Sequence, residues 1–225
     1  MLRSARKNIM HQLLIATNNK GKVIELQDLL KGMDIELITP SHIGLDLDVI
    51  EDGLTYAENA TKKAIAFAKA SNLISLADDS GLEVDALNGE PGLYSARYGT
   101  LPPFSASQKM GGAGGGSDAE RRKYLLSNLQ DKPRPWTARF RAVIAVAIPD
   151  SFREQAPRLQ TFEGICEGEI IPEERGTNGF GYDPIFLFPE LGKTMAELSM
   201  DEKNRLSHRA KAVMKAKGIL ETLFP

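Results

Sequence analysis

Two adjacent acids interrupt an apolar run, and any fold must find a way to bury or expose them. Leu73-Ile74-Ser75-Leu76-Ala77 reads as a short buried strand, with Asp78-Asp79 directly after it. Adjacent carboxylates at a strand end share a small volume, and their repulsion must be offset by a cation, a proton or a backbone donor. Ser80-Gly81 is expected to turn the backbone sharply out of the strand and expose its amides. Two readings follow. The acids and Ser80 cap whatever comes next, or hard oxygen ligands with room for water hold Mg²⁺ against phosphates.

The remaining composition narrows the partners. With 42% hydrophobic and 26% charged residues in 225, the chain is globular and long enough for a full core. A formal net charge of −2 argues against nucleic acid as a partner but leaves room for a small anion held by a few local cations. Cys166 is the only cysteine, so no internal disulfide forms, which fits a reducing cytosol and a cytoplasmic protein. The longest strongly apolar run, Ala142 to Ile148, falls far short of the roughly 20 residues of a membrane span. Residues 1–11 carry Arg3, Arg6 and Lys7 without an apolar signal core and read as a flexible tail.

Along the chain, Leu13-Leu14-Ile15-Ala16 reads as a strand that runs into Thr17-Asn18-Asn19-Lys20-Gly21-Lys22. Val23, Leu26, Leu29 and Leu30 then recur at helical spacing. A polar loop at a helix N-terminus suits a phosphate, or is an Asn-rich cap with solvated lysines. The G-x-x-x-x-G-K-[ST] spacing of a Walker loop is absent. Ile35 to Thr39 reads as a strand ended by Pro40, and Thr55-x-x-Glu58 opens a helix to about Ala70 that carries Lys62 and Lys63. Arg97 faces a phosphate or pairs with Asp85. The Gly-rich stretch at 104–117 reads as a surface loop. Ser117-x-x-Glu120 caps a helix with Tyr124, Leu125 and Leu129 on its apolar face. Phe140 to Ile148 and Thr161 to Ile170 alternate as two long antiparallel strands, the first with one buried face, which indicates a mixed sheet.

Gly179-Phe180-Gly181-Tyr182-Asp183 offers rings for a base to stack on, or a buried aromatic corner. Thr194-x-x-Glu197 and Ser199-x-x-Glu202 are further capping boxes. If Ser207 caps a new helix, Ala210, Val213 and Met214 face inward, and His208 and Arg209 stand in a first turn whose dipole opposes positive charge unless an anion or ligand compensates. A single helix from Asp201 is the competing reading.

Four segments in order resemble one family: Thr17 to Lys22; Ala77 to Leu82 running on to Pro91–Tyr98; Gly179 to Phe186; and Lys203 with Ser207-His208-Arg209. They resemble the non-canonical purine nucleoside triphosphate pyrophosphatases (inosine triphosphatase, Ham1/RdgB-like) over about Leu13 to Leu223. The resemblance implies an α/β fold with a long mixed sheet, flanking helices and two lobes around a central cleft, formed by residues 12–225 as one domain. It implies a homodimer, Mg²⁺ dependence, and cleavage of dITP, ITP and XTP to the monophosphate and pyrophosphate. It places the phosphate loop on Thr17, Asn18, Asn19, Lys20, Gly21 and Lys22, with Lys63 reaching the phosphates. It places the catalytic acid on Asp79 with Ser80 beside it, and the metal on Glu51 and Asp79. Base recognition falls on Phe180, Gly181, Tyr182 and Asp183, and the last ligands on Lys203, His208 and Arg209. The Gly-rich insert and the long 149–159 loop depart from the usual pattern.

Residue chemistry runs the same way. A triphosphate needs its charge neutralised before water attacks the α-phosphorus, and lysines with a carboxylate-held cation meet that need. A donor such as Arg209, aimed at the purine 6-position, takes a carbonyl and rejects the 6-amino group of adenine. The sequence leaves open whether Asp78 or Asp79 activates the water. Rival readings are a Maf-like nucleotide pyrophosphatase of other base preference and a nucleotide-binding regulator that does not hydrolyse.

Overall fold

The chain begins as an alternation of strands and helices. A computed structural model describes residues 11–99, 116–152 and 159–224. β1 (His11–Ile15), α1 (Lys20–Leu29), β2 (Ile35–Ile38), α2 (Tyr56–Ser71) and β3 (Ile74–Val84) follow one another, and β1 pairs in parallel with both β2 and β3. After α3 (Asp118–Leu129), β4 (Trp136–Ala147) and β5 (Leu159–Ile170) form a long antiparallel hairpin. β6 (Phe186–Phe188), β7 (Lys193–Thr194), α4 (Met200–Leu206) and α5 (His208–Leu223) complete the chain. Among the described residues the strands make one mixed seven-stranded sheet in the order β2-β1-β3-β4-β5-β6-β7, the α/β architecture expected from the sequence. Among the described residues no helix is long and apolar enough to cross a membrane. Residues 1–10, nearly all of the Gly-rich 104–117 stretch and most of the 149–159 loop lie outside the described residues.

β3 corrects the first expectation. It does not stop at Ala77 but runs on to Val84, paired with β4 from Ser75–Ala147 to Val84–Ala138. Ser80-Gly81 is therefore strand, not turn. The long β4 partner satisfies the backbone through the acidic pair, and strand alternation sends Asp78 and Ser80 to one face and Asp79 to the other. The two carboxylates do not share a volume.

Three apolar clusters surround this strand. Ala142, Ile144 and Val146 of β4 pack with α1 and α5 on one face, while Val143, Ala145 and Ala147 pack with α2 on the other. So β4 has one buried face only in its first half; from Ala142 onward both faces are covered. The third cluster gathers Leu82, Val84, Phe140, Cys166 and Phe186 at the far end of the sheet. The acids of β3 fall where the clusters meet.

The caps read from sequence hold. Thr55, Ser117, Ser199 and Ser207 each accept a hydrogen bond from the third amide of their helices. Ser207 is extended (φ −68°, ψ 154°), so α4 and α5 are separate helices. α1 starts at Lys20, ahead of its apolar stripe, because the Asn19 side chain caps it through the Lys22 amide. Two inward assignments fail. Met214 is exposed, since Ala210 and Val213 already fill the face turned to the sheet, and Tyr124 is half-exposed, packed edge-on against Tyr98.

Candidate active site

The two faces of β3 carry different electrostatics. On one, Asp78 Oδ1 lies 2.5 Å from Lys22 Nζ, and Asp78 Oδ2 accepts from Arg209 Nε at 3.0 Å. Arg209 also donates to Ser80 Oγ and to Glu25. Glu25 Oε1 lies 2.6 Å from Lys203 Nζ, which lies 2.7 Å from Asp183 Oδ2. Asp183 in turn accepts from the Phe180 amide at 2.9 Å. This is a continuous buried chain of alternating charges, from the first turn of α1 to the loop before β6. Burial alone would raise the Asp78 carboxyl, but the Arg209 and Lys22 charges hold it far below the usual carboxylate range. Glu25 is likewise lifted by burial and then brought below its ordinary value by Arg209 and Lys203.

On the other face, Lys63 Nζ lies 3.1 Å from Glu51 Oε1 and 3.4 Å from Asp79 Oδ1, and donates to the Asp78 carbonyl at 2.8 Å. Here burial wins. It raises the Asp79 carboxyl above its ordinary value, despite the nearby Lys63 and Lys22 charges. The Asp79 and Glu51 charges keep Lys63 protonated against its own burial.

Both faces open on one cavity of about 330 Å³. Its wall includes Thr17, Asn18, Asn19, Lys22, Glu51, Lys63, Asp79 and Ser80, and, towards the other end of the sheet, Phe180, Gly181, Tyr182, Asp183, Lys203, His208 and Arg209. Lys20 instead lines a neighbouring depression with Thr17 and Asn18. Gly21 lies against the Phe180 ring, and a Cβ there would fall 2.4 Å from a ring carbon, so glycine is what lets that loop close on α1. The aromatic pair divides its roles. Phe180 stays half-buried at the cavity wall, while Tyr182 is the buried corner, its hydroxyl donating to the Ser95 carbonyl at 2.9 Å. Arg97 also lines the cavity with its guanidinium 5.1 Å from the Tyr94 ring centroid, and Asp85 pairs with Arg139.

Glu25 was missing from the sequence reading. Its signal was a carboxylate one turn before Leu29 on the buried side of α1, a position where a charge requires a partner. The start of α3 was missed too: Asp118 accepts from the Gly181 amide at 2.7 Å and Arg122 donates to its carbonyl at 2.7 Å, which fastens the Phe180 loop from behind.

Among the described residues no three His, Cys, Asp or Glu side chains form a ready-made metal cluster. Glu51 and Asp79 nonetheless suit a small hard cation. Both offer carboxylate oxygens to the same ammonium, at a cavity wall where water and phosphate oxygens can complete a shell.

The family model described as the Ham1 family matches residues 13–219. A dITP/XTP pyrophosphatase of Desulforamulus reducens is 46% identical over 214 residues, 95% of this chain and 97% of that protein. One of Bacillus subtilis is 43% identical over 214 residues, 95% and 98% respectively. The solved Ham1 protein of Staphylococcus aureus is 40% identical with a TM-score of 0.74, covering 93% of this chain and 98% of that one. A HAM1 protein of Coxiella burnetii is 38% identical with a TM-score of 0.76, covering 94% and 99%.

Proposed function

The chain belongs to the Ham1 family, and from that premise and the cavity we propose how it acts: it hydrolyses the non-canonical purine nucleoside triphosphates dITP, ITP and XTP to the monophosphate and pyrophosphate. The observation that carries the mechanism is the split between Asp78 and Asp79. Asp78 is locked as an anion between Arg209 and Lys22, and its oxygens are taken up by these cations and the Ser80 hydroxyl. Burial raises the Asp79 carboxyl above its ordinary value, which makes it the more basic of the two carboxylates and the candidate general base. Asp79 takes the proton of the water that attacks the α-phosphorus.

The phosphates lie along the first turn of α1, where the Lys20 and Gly21 amides precede any intrahelical acceptor and the helix dipole is positive. Lys22 and Lys63 add charge as the pyrophosphate departs. Glu51 and Asp79 would hold Mg²⁺, which supplies positive charge to the phosphate oxygens when bound. The purine lies toward Phe180 and His208. A hydrogen-bond donor there meets a 6-carbonyl productively and meets the 6-amino group of ATP donor to donor. We also read the protein as a homodimer. The exposed Ile50 and Leu54 before α2, with Leu54 86% exposed, support an apolar contact, and light scattering decides it.

The test measures phosphorus products from dITP, XTP, ITP, GTP and ATP, with Mg²⁺ and with chelator. Pyrophosphate from the first three, lost with chelator, is the expected result. Orthophosphate would move the cut to the γ-phosphate and overturn the mechanism. Tight binding without turnover would make the protein a regulator.

A further inference from the structure

The one cysteine lies directly behind the base end of the cavity. Cys166 on β5 is 2% exposed and opposite Phe140 on β4. Its Sγ lies 3.8 Å from Nδ1 of His208, the first residue of α5. The His208 ring is stacked on Phe140, with centroids 4.8 Å apart and planes inclined by 13°, so one ring face and the Nδ1 edge are covered. The residue still contributes to the cavity wall. A close approach makes this arrangement. At Gly164 on β5 a Cβ would fall 2.1 Å from the His208 carbonyl oxygen, so only glycine lets the start of α5 settle against the sheet.

We propose that the Cys166 thiol donates its proton to His208 Nδ1, fixing the imidazole as the Nε2–H tautomer and presenting that N–H to the cavity as a donor for a purine 6-carbonyl. The inference deepens the functional reading above and rests on it. Cys166 is on this account a positioning residue that acts through His208.

Both partners are neutral. Burial, with Arg209 next to it, pushes the imidazolium pKa of His208 well below its ordinary value, and burial pushes the thiol up to about 12. A neutral imidazole has one donor and one acceptor nitrogen, so the group facing Nδ1 decides which is which. A thiol carries one S–H to donate and its sulfur is only a weak acceptor. Nδ1 is the side-chain acceptor within reach. Arg209 does not duplicate the role, because its guanidinium is engaged by Asp78, Glu25 and Ser80. His208 then selects between purines by a donor that carries no charge. A 6-carbonyl completes the hydrogen bond, whereas a 6-amino group leaves two donors facing each other.

The first measurement is the ¹⁵N shift pattern of His208 in the free protein, assigned with a His208→Gln control. A bare Nδ1 and a protonated Nε2 are expected; a protonated Nδ1 overturns the inference. The second compares kcat/KM for ITP and ATP in Cys166→Val, which keeps the volume and removes the donor, and in Cys166→Ser, which restores one. The ITP-to-ATP ratio should fall about fivefold in the valine variant, the worth of one neutral hydrogen bond, and recover in the serine variant. An unchanged ratio with valine, or serine behaving as valine, overturns the role. If Cys166→Val does not fold, the wild-type spectrum still decides the tautomer. If the wild-type protein fails to cleave ITP, the functional reading falls and takes base selection with it, while a protonated Nδ1 in an ITP-cleaving protein sinks this inference alone.

Discussion

On one face of β3, Asp78 is enclosed by Arg209, Lys22 and Ser80; on the other, Asp79 meets Lys63 at the cavity edge. The residues are chemically identical and one peptide apart. Their carboxyls are nevertheless driven in opposite directions, Asp78 down and Asp79 up. The backbone supplies the separation by alternation, and the tertiary contacts supply the sign. Asp78 is a fixed anion among Arg209, Lys22 and Ser80, while its neighbour lies at the cavity wall, where we propose it takes a proton. Groups whose environments push their pKa values apart are how one site divides structural from chemical work.

The sharpest way to break this comparison is Asp79→Asn. Pyrophosphate release should fall by about 10²–10⁴, the usual worth of a general base, with the thermal midpoint essentially retained. Asp78→Asn should act on the other quantity. It leaves Arg209 buried without its main anion, and such losses cost about 3–5 kcal/mol, read from urea unfolding. If Asp78→Asn lowers only activity and Asp79→Asn only stability, the assignment is reversed. Glu25→Gln is milder, because the amide keeps an acceptor but loses the charge. A loss of about 1.5–3 kcal/mol is expected, with weaker substrate binding as Lys203 and Arg209 lose a shared counter-ion.

Acid sharpens the same contrast. The Glu25 carboxyl is held below its unfolded value, so its stabilisation is present above about pH 4 and is lost as pH falls through the folded value. His208 is depressed as well, and its contribution is present above about pH 6.5 and declines below it. Both therefore weaken the fold on acidification. The urea midpoint should drop first below about pH 6.5 and again below about pH 4; Asp78, held even lower, shares the second step, so Glu25→Gln should shrink that step and leave the upper.

How much of this was legible in the sequence depended on range. The N-caps at Thr55, Ser117, Ser199 and Ser207 bond to amides three residues on, so a local pattern suffices to find them. The separate first turn bearing His208 and Arg209 was readable for that reason, as was its need for a compensating anion. The identity of that anion was not, because Arg209 meets Asp78 across 131 residues and Glu25 across 184. The length of β3 was hidden by the same distance. Two acids look like the end of a buried strand until the remote cations that neutralise them are in place. The other site residues named from the family pattern line one cavity, while Lys20 lines the neighbouring depression and Gly21 lies against the Phe180 ring.

The span between Asp78 and Arg209 also bears on how the protein is made. As the chain leaves the ribosome from its N-terminus, β1, β3 and the β4–β5 hairpin emerge before α5. Until then Asp78 has only Lys22 and Glu25 has neither Lys203 nor Arg209, so packing α1 against β3 would bury the Glu25 carboxylate uncompensated. Closure of that half of the sheet is therefore held back until α5 arrives. Synthesis that stops short of α5 yields a chain that cannot finish its core, a built-in check that ties the arrival of Arg209 to the appearance of the cavity.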